Sequence, residues 1–123
     1  MPVTRAAEAR TYDLHGFTFR SLAATALGSP DLAVWVVEAP ARSSSPRHTM
    51  SRDEVLLVRT GHVTAVVADE TFDLAPGDTL TVPAGTPFQL ANPHDEPASA
   101  VAVTTTGMHA TVAGSTIRPP WAV

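Results

Sequence analysis

Eleven prolines and seven glycines punctuate the chain, and beyond about the first ten residues they leave no span in which a long amphipathic helix can run. Between these breaks lie short segments rich in Val, Thr and Phe: "FTFR", "LAVWVVEA", "EVLLVR", "HVTAVVA", "ETFDL", "DTLTVP", "FQLAN" and "ASAVAVTTT". Turn formers such as "GSP", "APGD", "PAGTP" and "NPHDEP" separate them. β-branched and aromatic residues fit the pleated surface of a sheet, so about eight short strands are expected, in an all-β sandwich or barrel. Only "TRAAEAR" near the start has helical propensity, and it can equally be a frayed end. There is no internal repeat, low-complexity tract or linker, so residues 1–123 read as one domain, with a short arm over about 1–15 and an extended tail over 116–123.

Composition narrows the functional classes. A chain of 123 residues with 44% hydrophobic and 16% charged residues can bury one core and has a globular balance. A formal charge of -4, with no basic cluster denser than Arg47 and Arg52, offers no footprint for a phosphate backbone, so no nucleic acid partner is expected. No apolar run approaches the roughly 20 residues that cross a bilayer. The start "MPVTRAAEARTYDLHG" lacks the apolar stretch of a signal peptide, so the expectation is no membrane partner and a cytoplasmic protein. The absence of cysteine removes disulfides, thiolate zinc sites and cysteine nucleophiles together. All eight basic residues are arginine and alanine is abundant, a pattern expected of a GC-rich bacterial coding sequence.

Side chains alternate along a strand, so in "EVLLV" Leu56 and Val58 share one face while Val55 and Leu57 occupy the other. Both faces are apolar and both need cover. A second sheet can shield one of them, and the sheet of a partner subunit the other, which predicts a homodimer.

The stretch "SPRHTMSRDEVLLVRTG", residues 45–61, sets Arg47, His48, Arg52, Asp53 and Glu54 against the apolar run "VLLV". His48, Thr49, Met50, three further residues, Glu54, six more and Gly61 follow the spacing of the first motif of the cupins, which are small double-stranded β-helix barrels of jelly-roll type. In "GDTLTVPAGTPFQLAN", Gly77, Pro83, Gly85 and Asn92 follow the second motif. The chain thus resembles a small single-domain bacterial cupin, and the flanking strand-rich segments extend the likeness over most of its length. Tails with a Pro-Pro-Trp ending like "STIRPPWAV" also occur in such proteins.

The resemblance carries departures. Met50 stands where the family usually places its second histidine and Phe88 where the second motif places its own, so two of the four usual metal ligands are missing. The leading glycine of the first motif is missing as well. Catalytic zinc takes three protein ligands, and the facial site of non-haem iron takes two imidazoles and a carboxylate. His48 and Glu54 supply one of each, and a thioether from Met50 suits copper(I) better than the ions cupins commonly carry. The expectation is therefore a degenerate metal site with no cofactor and no metal ligands, a divalent metal remaining the lesser alternative. His94 shares strand parity with Phe88 but lies roughly 20 Å along a straight strand, too far to replace the missing ligand. His62 begins a new strand and is expected at a rim or on the surface, and His109 lies on a terminal segment of undetermined orientation.

If the family registration holds, residues 48, 50 and 54 point into the barrel together with Phe88 and Leu90, and "VWVVE" adds either Trp35 with Val37 or Val34 with Val36. A pocket with apolar walls and few polar groups is the usual form of a small-molecule site. His48 and Glu54 are the candidate catalytic pair, and Met50, Phe88, Leu90 and Trp35 the candidate substrate contacts. Without a metal, burial raises the pKa of Glu54 and a protonated His48 lowers it, so the two are expected to titrate as a coupled unit. Such a pair serves isomerisation, elimination or cyclisation of a partly apolar substrate. The plainer readings are a rim ion pair, a solvated "SRDE" turn in which Arg52 pairs with Asp53 or Glu54, and core filler at Met50, Phe88 and Trp35. Gly61, Gly77, Pro83 and Gly85 are turn formers and Asn92 a turn cap. The two prolines of the tail exclude a helix and deliver Trp121 at a fixed distance from Ile117, against a barrel edge of this chain or its neighbour. A small-molecule enzyme and a non-catalytic binding or sensor barrel both fit, with a metal-dependent oxygenase or isomerase behind them.

Overall fold

The computed structural model describes residues 2–123. Among them strands and loops dominate, no α-helix forms, and three single 3₁₀ turns lie at Ala6–Glu8, Thr25–Leu27 and Pro120–Ala122. The first half holds β1 (Thr11–Leu14), β2 (Phe17–Ala23), β3 (Leu32–Ala39), β4 (Ser43–Ser44), β5 (Thr49–Met50) and β6 (Glu54–Thr60). The second holds β7 (Val63–Val67), β8 (Glu70–Leu74), β9 (Thr79–Val82), β10 (Phe88–Asn92), β11 (Ala98–Thr105), β12 (Ala110–Val112) and β13 (Ser115–Ile117). They form three sheets in the orders β1-β2-β3-β11-β6-β9, β4-β10-β7-β8 and β13-β12-β5. Every pairing is antiparallel, as in a jelly-roll barrel.

All eight expected strands are present. Five short ones were not expected: β1, β4, β5, β12 and β13. The arm is therefore not loose throughout, because β1 pairs with β2 from Thr11↔Arg20 to Leu14↔Phe17. The helical reading of "TRAAEAR" reduces to one 3₁₀ turn.

The core follows from strand alternation. Leu56 and Val58 of β6 are buried while Leu57 is exposed. On β11 the small residues Ala98, Ala100 and Ala102 face inward, leaving room for Trp35 and Val37 of the neighbouring β3. Trp35 and Val37, rather than Val34 and Val36, thus line the interior. Two backbone positions hold the frame. Gly61 turns from β6 to β7 at φ +70, where an added Cβ would sit 2.5 Å from the Pro97 carbonyl oxygen. Asn92 is fully buried and donates from Nδ2 to the carbonyls of Ala39 (3.0 Å) and Glu96 (2.8 Å), while its Oδ1 accepts from the His94 N–H. That is the turn cap anticipated for it, and it also ties β10 to the end of β3.

The tail differs from expectation. Its prolines do not keep it wholly extended, since Pro120–Ala122 closes a 3₁₀ turn. Trp121 does not lie over an outer edge but is buried within its own chain.

Candidate active site

Two tight hairpins border the interior at one end of the barrel. His15-Gly16 joins β1 to β2 and Ala113-Gly114 joins β12 to β13, and all four residues have positive φ. Two positive-φ residues match the twist of an antiparallel pair, which brings Leu14 and His15 from one hairpin and Val112 and Ile117 from the other to a common cavity. The cavity has a volume of about 80 Å³. Its walls are largely apolar, with Phe17, Phe19, Trp35, Leu56, Phe88 and Leu90 prominent. Its polar members are Ser45, His15, His48, Glu54 and the Trp121 indole, and no arginine lines it.

All six predicted site residues, His48, Met50, Glu54, Phe88, Leu90 and Trp35, line this one space. His48 sits on an isolated bridge to Phe88, the two backbones exchanging hydrogen bonds of 2.9 Å in both directions. Its Nδ1 lies 2.8 Å from the Pro46 carbonyl oxygen. A carbonyl only accepts, so Nδ1 carries the proton and Nε2 keeps its lone pair. Burial lowers the His48 pKa, the Pro46 hydrogen bond partly offsets this, and His15 lowers it further. The imidazole is therefore neutral at pH 7.

Glu54 opens β6, opposite Val82 of β9, and shares the inward face with Leu56 and Val58. The strand entry is held by Thr104 Oγ1 donating to the Asp53 carbonyl (2.6 Å) and by the Ala84 N–H donating to the Asp53 carboxylate (2.8 Å). Glu54 is 4% exposed, and its Oε2 has no hydrogen-bond partner among the described residues. Desolvation pushes its pKa up to about 8, so at neutral pH it is a carboxylic acid.

Two expectations about this pair are corrected. No ion pair joins His48 to Glu54 among the described residues, where the salt bridges are Arg20–Glu38 and Arg42–Asp95. Burial alone sets the Glu54 shift, so the two do not titrate as a coupled unit but are pushed in opposite directions independently. The "SRDE" turn is not an ion pair with Arg52 either, because Asp53 takes a backbone N–H and Glu54 is buried.

His62, His94 and His109 lie away from the cavity. His62 and His94 pack ring to ring at 5.9 Å, and His109 is exposed with its backbone N–H on Ser51 Oγ. His15 and Ser45 border the cavity unforeseen, as does Trp121, which stacks on Phe19 at 3.7 Å and 4°. The signal for Trp121 was its fixed reach beyond two prolines, which does not say what lies under it.

Cupin barrels imply a bound divalent cation, but the donors here do not fit one. The Phe88 ring, 4.2 Å from that of His48, fills the place of a second imidazole, and Met50 offers only a thioether. No group of three or more His, Cys, Asp or Glu among the described residues could hold a metal ion.

Comparison with known proteins agrees with this fold. Residues 34–104 match the family described as Cupin domain, more than half of the chain, and the protein belongs to the cupin family. Comparison with curated proteins finds no match. Among solved structures it is similar to the polyketide cyclase RemF from Streptomyces resistomycificus, with a TM-score of 0.77 and 18% identity over 98% of this chain and 82% of that one. A sugar phosphate isomerase of the cupin superfamily from Silicibacter pomeroyi gives 0.74 and 20%, covering 98% and 95%. KdgF from Halomonas sp. gives 0.74 and 19%, covering 85% and 93%. No helix among the described residues is long and apolar enough to cross a membrane.

Proposed function

We propose that this cupin is a small-molecule enzyme performing metal-independent acid/base chemistry in the barrel cavity, with Glu54 as general acid and His48 as general base. The observation that carries this reading is that Glu54, 4% exposed with Oε2 unpartnered among the described residues, and His48, its Nδ1 held by the Pro46 carbonyl, line one apolar cavity, where burial raises the carboxyl pKa and lowers that of the imidazole. Groups whose environments push their pKa values apart divide acid and base roles between them, and both groups line the one cavity. His48 Nε2 removes a proton, held in place by the Nδ1–H···O=C bond to Pro46. Glu54 donates a proton to the oxygen on which charge develops. Enolisation beside a carbonyl is the common step, and it leads to isomerisation, elimination or cyclisation. The similar barrels named as a cyclase and an isomerase support that range.

Simple ketones suffice to test the step, whatever the natural substrate. Incubated with the protein in D₂O at pH 7, they should take up deuterium at the α-carbon faster than in buffer, read by proton NMR. Glu54→Gln and His48→Gln should each lower the rate by about 10²-fold or more. Equal rates in wild type and both variants sink the proposal. Binding without any exchange would favour the alternative, a non-catalytic carrier or sensor.

The same reading takes the protein as a homodimer. On the outer face of the six-stranded sheet Val101 lies in register with Val36 and Leu57, and Val103 with Val34 and Val55. Leu57 is 40% exposed in the single chain. A second copy laid across this face would cover it.

A further inference from the structure

A second, smaller space adjoins the main cavity inside the barrel. It has a volume of about 10 Å³ and is bordered by Ala39, Val58, Val63, Leu74, Ala98 and Ala100. Four side chains, Phe17, Val37, Leu56 and Leu90, border both spaces. Three strands pass from one space to the other in the same order: Glu54, Leu56, Val58 on β6; Trp35, Val37, Ala39 on β3; Phe88, Leu90, Ala91 on β10. In each the first residue borders the main cavity alone, the second borders both, and the third the smaller space alone. The two spaces therefore follow one another along the strands, with the shared side chains between them. From Glu54 to Val58 is four residues of strand, roughly 13 Å.

The smaller space exists because small residues meet there. Ala98 of β11 stands opposite Ala39 of β3, and Ala100 stands between Val37 and Val58 on its two neighbouring strands. All three alanines are buried. Ser99 carries the one polar side chain on its wall among the described residues, and that hydroxyl lies 2.7 Å from Thr60 Oγ1. A buried water needs two or more polar partners, whereas an apolar space stays dry and gains contacts from an apolar group that fills it. About 10 Å³ is roughly the room of one water-sized group, such as a terminal methyl.

We infer that the ligand is a carbonyl compound with an unbranched aliphatic arm. Its carbonyl lies at His48 and Glu54, its arm follows the inner face of β6 past Leu56, and its terminal methyl enters the space beside Ala98 and Ala100, which set the length of the arm. The inference rests on the cavity being the ligand site of the proposed enzyme, and it concerns which ligand is bound rather than how it reacts. Leu90 is the shared side chain with freedom to give way, being half-buried although it borders both spaces. A branched arm does not clear the four shared side chains, and a polar end loses its hydration with no partner to receive it.

Straight-chain methyl ketones of four to ten carbons, titrated into the methyl-labelled full chain at pH 7 and followed by NMR, test this. Affinity should rise about fourfold with each added carbon until the terminal methyl fills the smaller space, and the series should then break, longer chains gaining nothing. At the break the ligand methyl should show nuclear Overhauser contacts to Val58, Val63 and Leu74 that shorter ketones lack. Ala100→Val adds two methyl groups where the arm ends and should move the break to chains shorter by about one or two carbons. Val58→Ala removes two and should move it to longer chains by about as much. The two variants alter packing in opposite senses, so if one fails to fold the other still reports. Affinity independent of chain length, a rise that continues through ten carbons, or an unmoved break in the folded variants overturns the inference, as does failure of every ketone to bind at millimolar concentration. A break that moves as described, in a protein that exchanges no deuterium, would count against the catalytic reading alone. Deuterium exchange with no dependence of affinity on length would count against the arm alone.

Discussion

The ring of Phe88 packs 4.2 Å from that of His48, and the backbones of the two residues exchange a pair of hydrogen bonds. One contact thus desolvates the imidazole and fixes its place in the wall. In a barrel that held a metal through two histidines, the second imidazole would stand where this phenyl stands. With Phe88 here and Met50 nearby, this corner of the cavity insulates the imidazole rather than coordinating an ion.

Phe88→His should therefore recreate two imidazoles and a carboxylate in one cavity, a donor set that suits zinc. Calorimetric titration with zinc should show at least a tenfold gain in affinity over wild type. Phe88 is 1% exposed, so the variant should lose about 2 kcal/mol or more of stability without metal, through the unpaired ring nitrogen and lost packing. Zinc should restore part of that loss, since a ligand that binds only the folded state stabilises it. Wild type binding zinc as tightly as the variant would show that the phenyl ring does not insulate this corner.

The elevated Glu54 pKa makes stability depend on pH with a definite sign. Between about 4.5 and about 8 the unfolded chain has released this proton while the folded chain keeps it, so stability falls as pH rises, by up to about 1.4 kcal/mol per pH unit. His48 acts oppositely below 6.5: its folded pKa is lowered, so its contribution is gained as pH rises towards 6.5. His48 is common to wild type and Glu54→Gln, so its contribution cancels in their difference, which Glu54 alone slopes from 6.5 to 8. Urea unfolding of wild type and Glu54→Gln at pH 6.5, 7.25 and 8 should show the difference between them widening by about 1.6 kcal/mol over that range. Parallel curves would mean that the carboxyl is not held neutral. Activity should follow the same groups, with an alkaline limb near pH 8 that disappears in Glu54→Gln.

The framework was legible in the chain because its marks are backbone requirements. Gly61, Gly77 and Gly85 all adopt positive φ, and Asn92 must reach three backbone partners, so the spacing that resembles the cupin motifs marked them. The inward placing of His48, Met50, Glu54, Phe88 and Leu90 was legible only through the registration that the cupin resemblance supplied. Distance across the barrel was not. That His48 and Glu54 share a wall without pairing depends on where separate strands close on one another, which no local pattern encodes. The hairpin β12–β13 was missed because strands of three residues give too few alternations to read. Trp121 was misplaced for a related reason: its partner Ser21 lies 100 residues away in sequence.

Two glycines with the same backbone habit should respond differently to a methyl group. At Gly77 an added Cβ meets nothing within 4 Å, so Gly77→Ala carries only the left-handed penalty of about 1 kcal/mol. At Gly61 the same atom falls 2.5 Å from the Pro97 oxygen and 2.8 Å from Ala98, both fixed by β11. Gly61→Ala should lose about twice as much or more, read as a larger drop in the denaturation midpoint. Equal losses would show that the turn after β6 can move away from β11.

The outer face of the large sheet offers the last test. Val55, Leu57, Val101 and Val103 sit on adjacent strands, with Val101 opposite Leu57 and Val103 opposite Val55, so they form one apolar surface rather than scattered residues. Each has a flat, branched or short side chain, and a surface of this kind can meet its own copy across a two-fold axis with little side-chain ordering. Leu57, 40% exposed, stands proudest of the sheet and is best placed to report on such contact. Leu57→Asp would bring like charges together if a second copy covers this face, yet in a free monomer it would merely exchange one solvated side chain for another. Sedimentation at micromolar concentration should therefore show a dimer for wild type and a monomer for the variant, with little change in unfolding of the isolated fold. A wild type that sediments as a monomer, or a variant that still dimerises, would place the homodimer contact elsewhere or remove it.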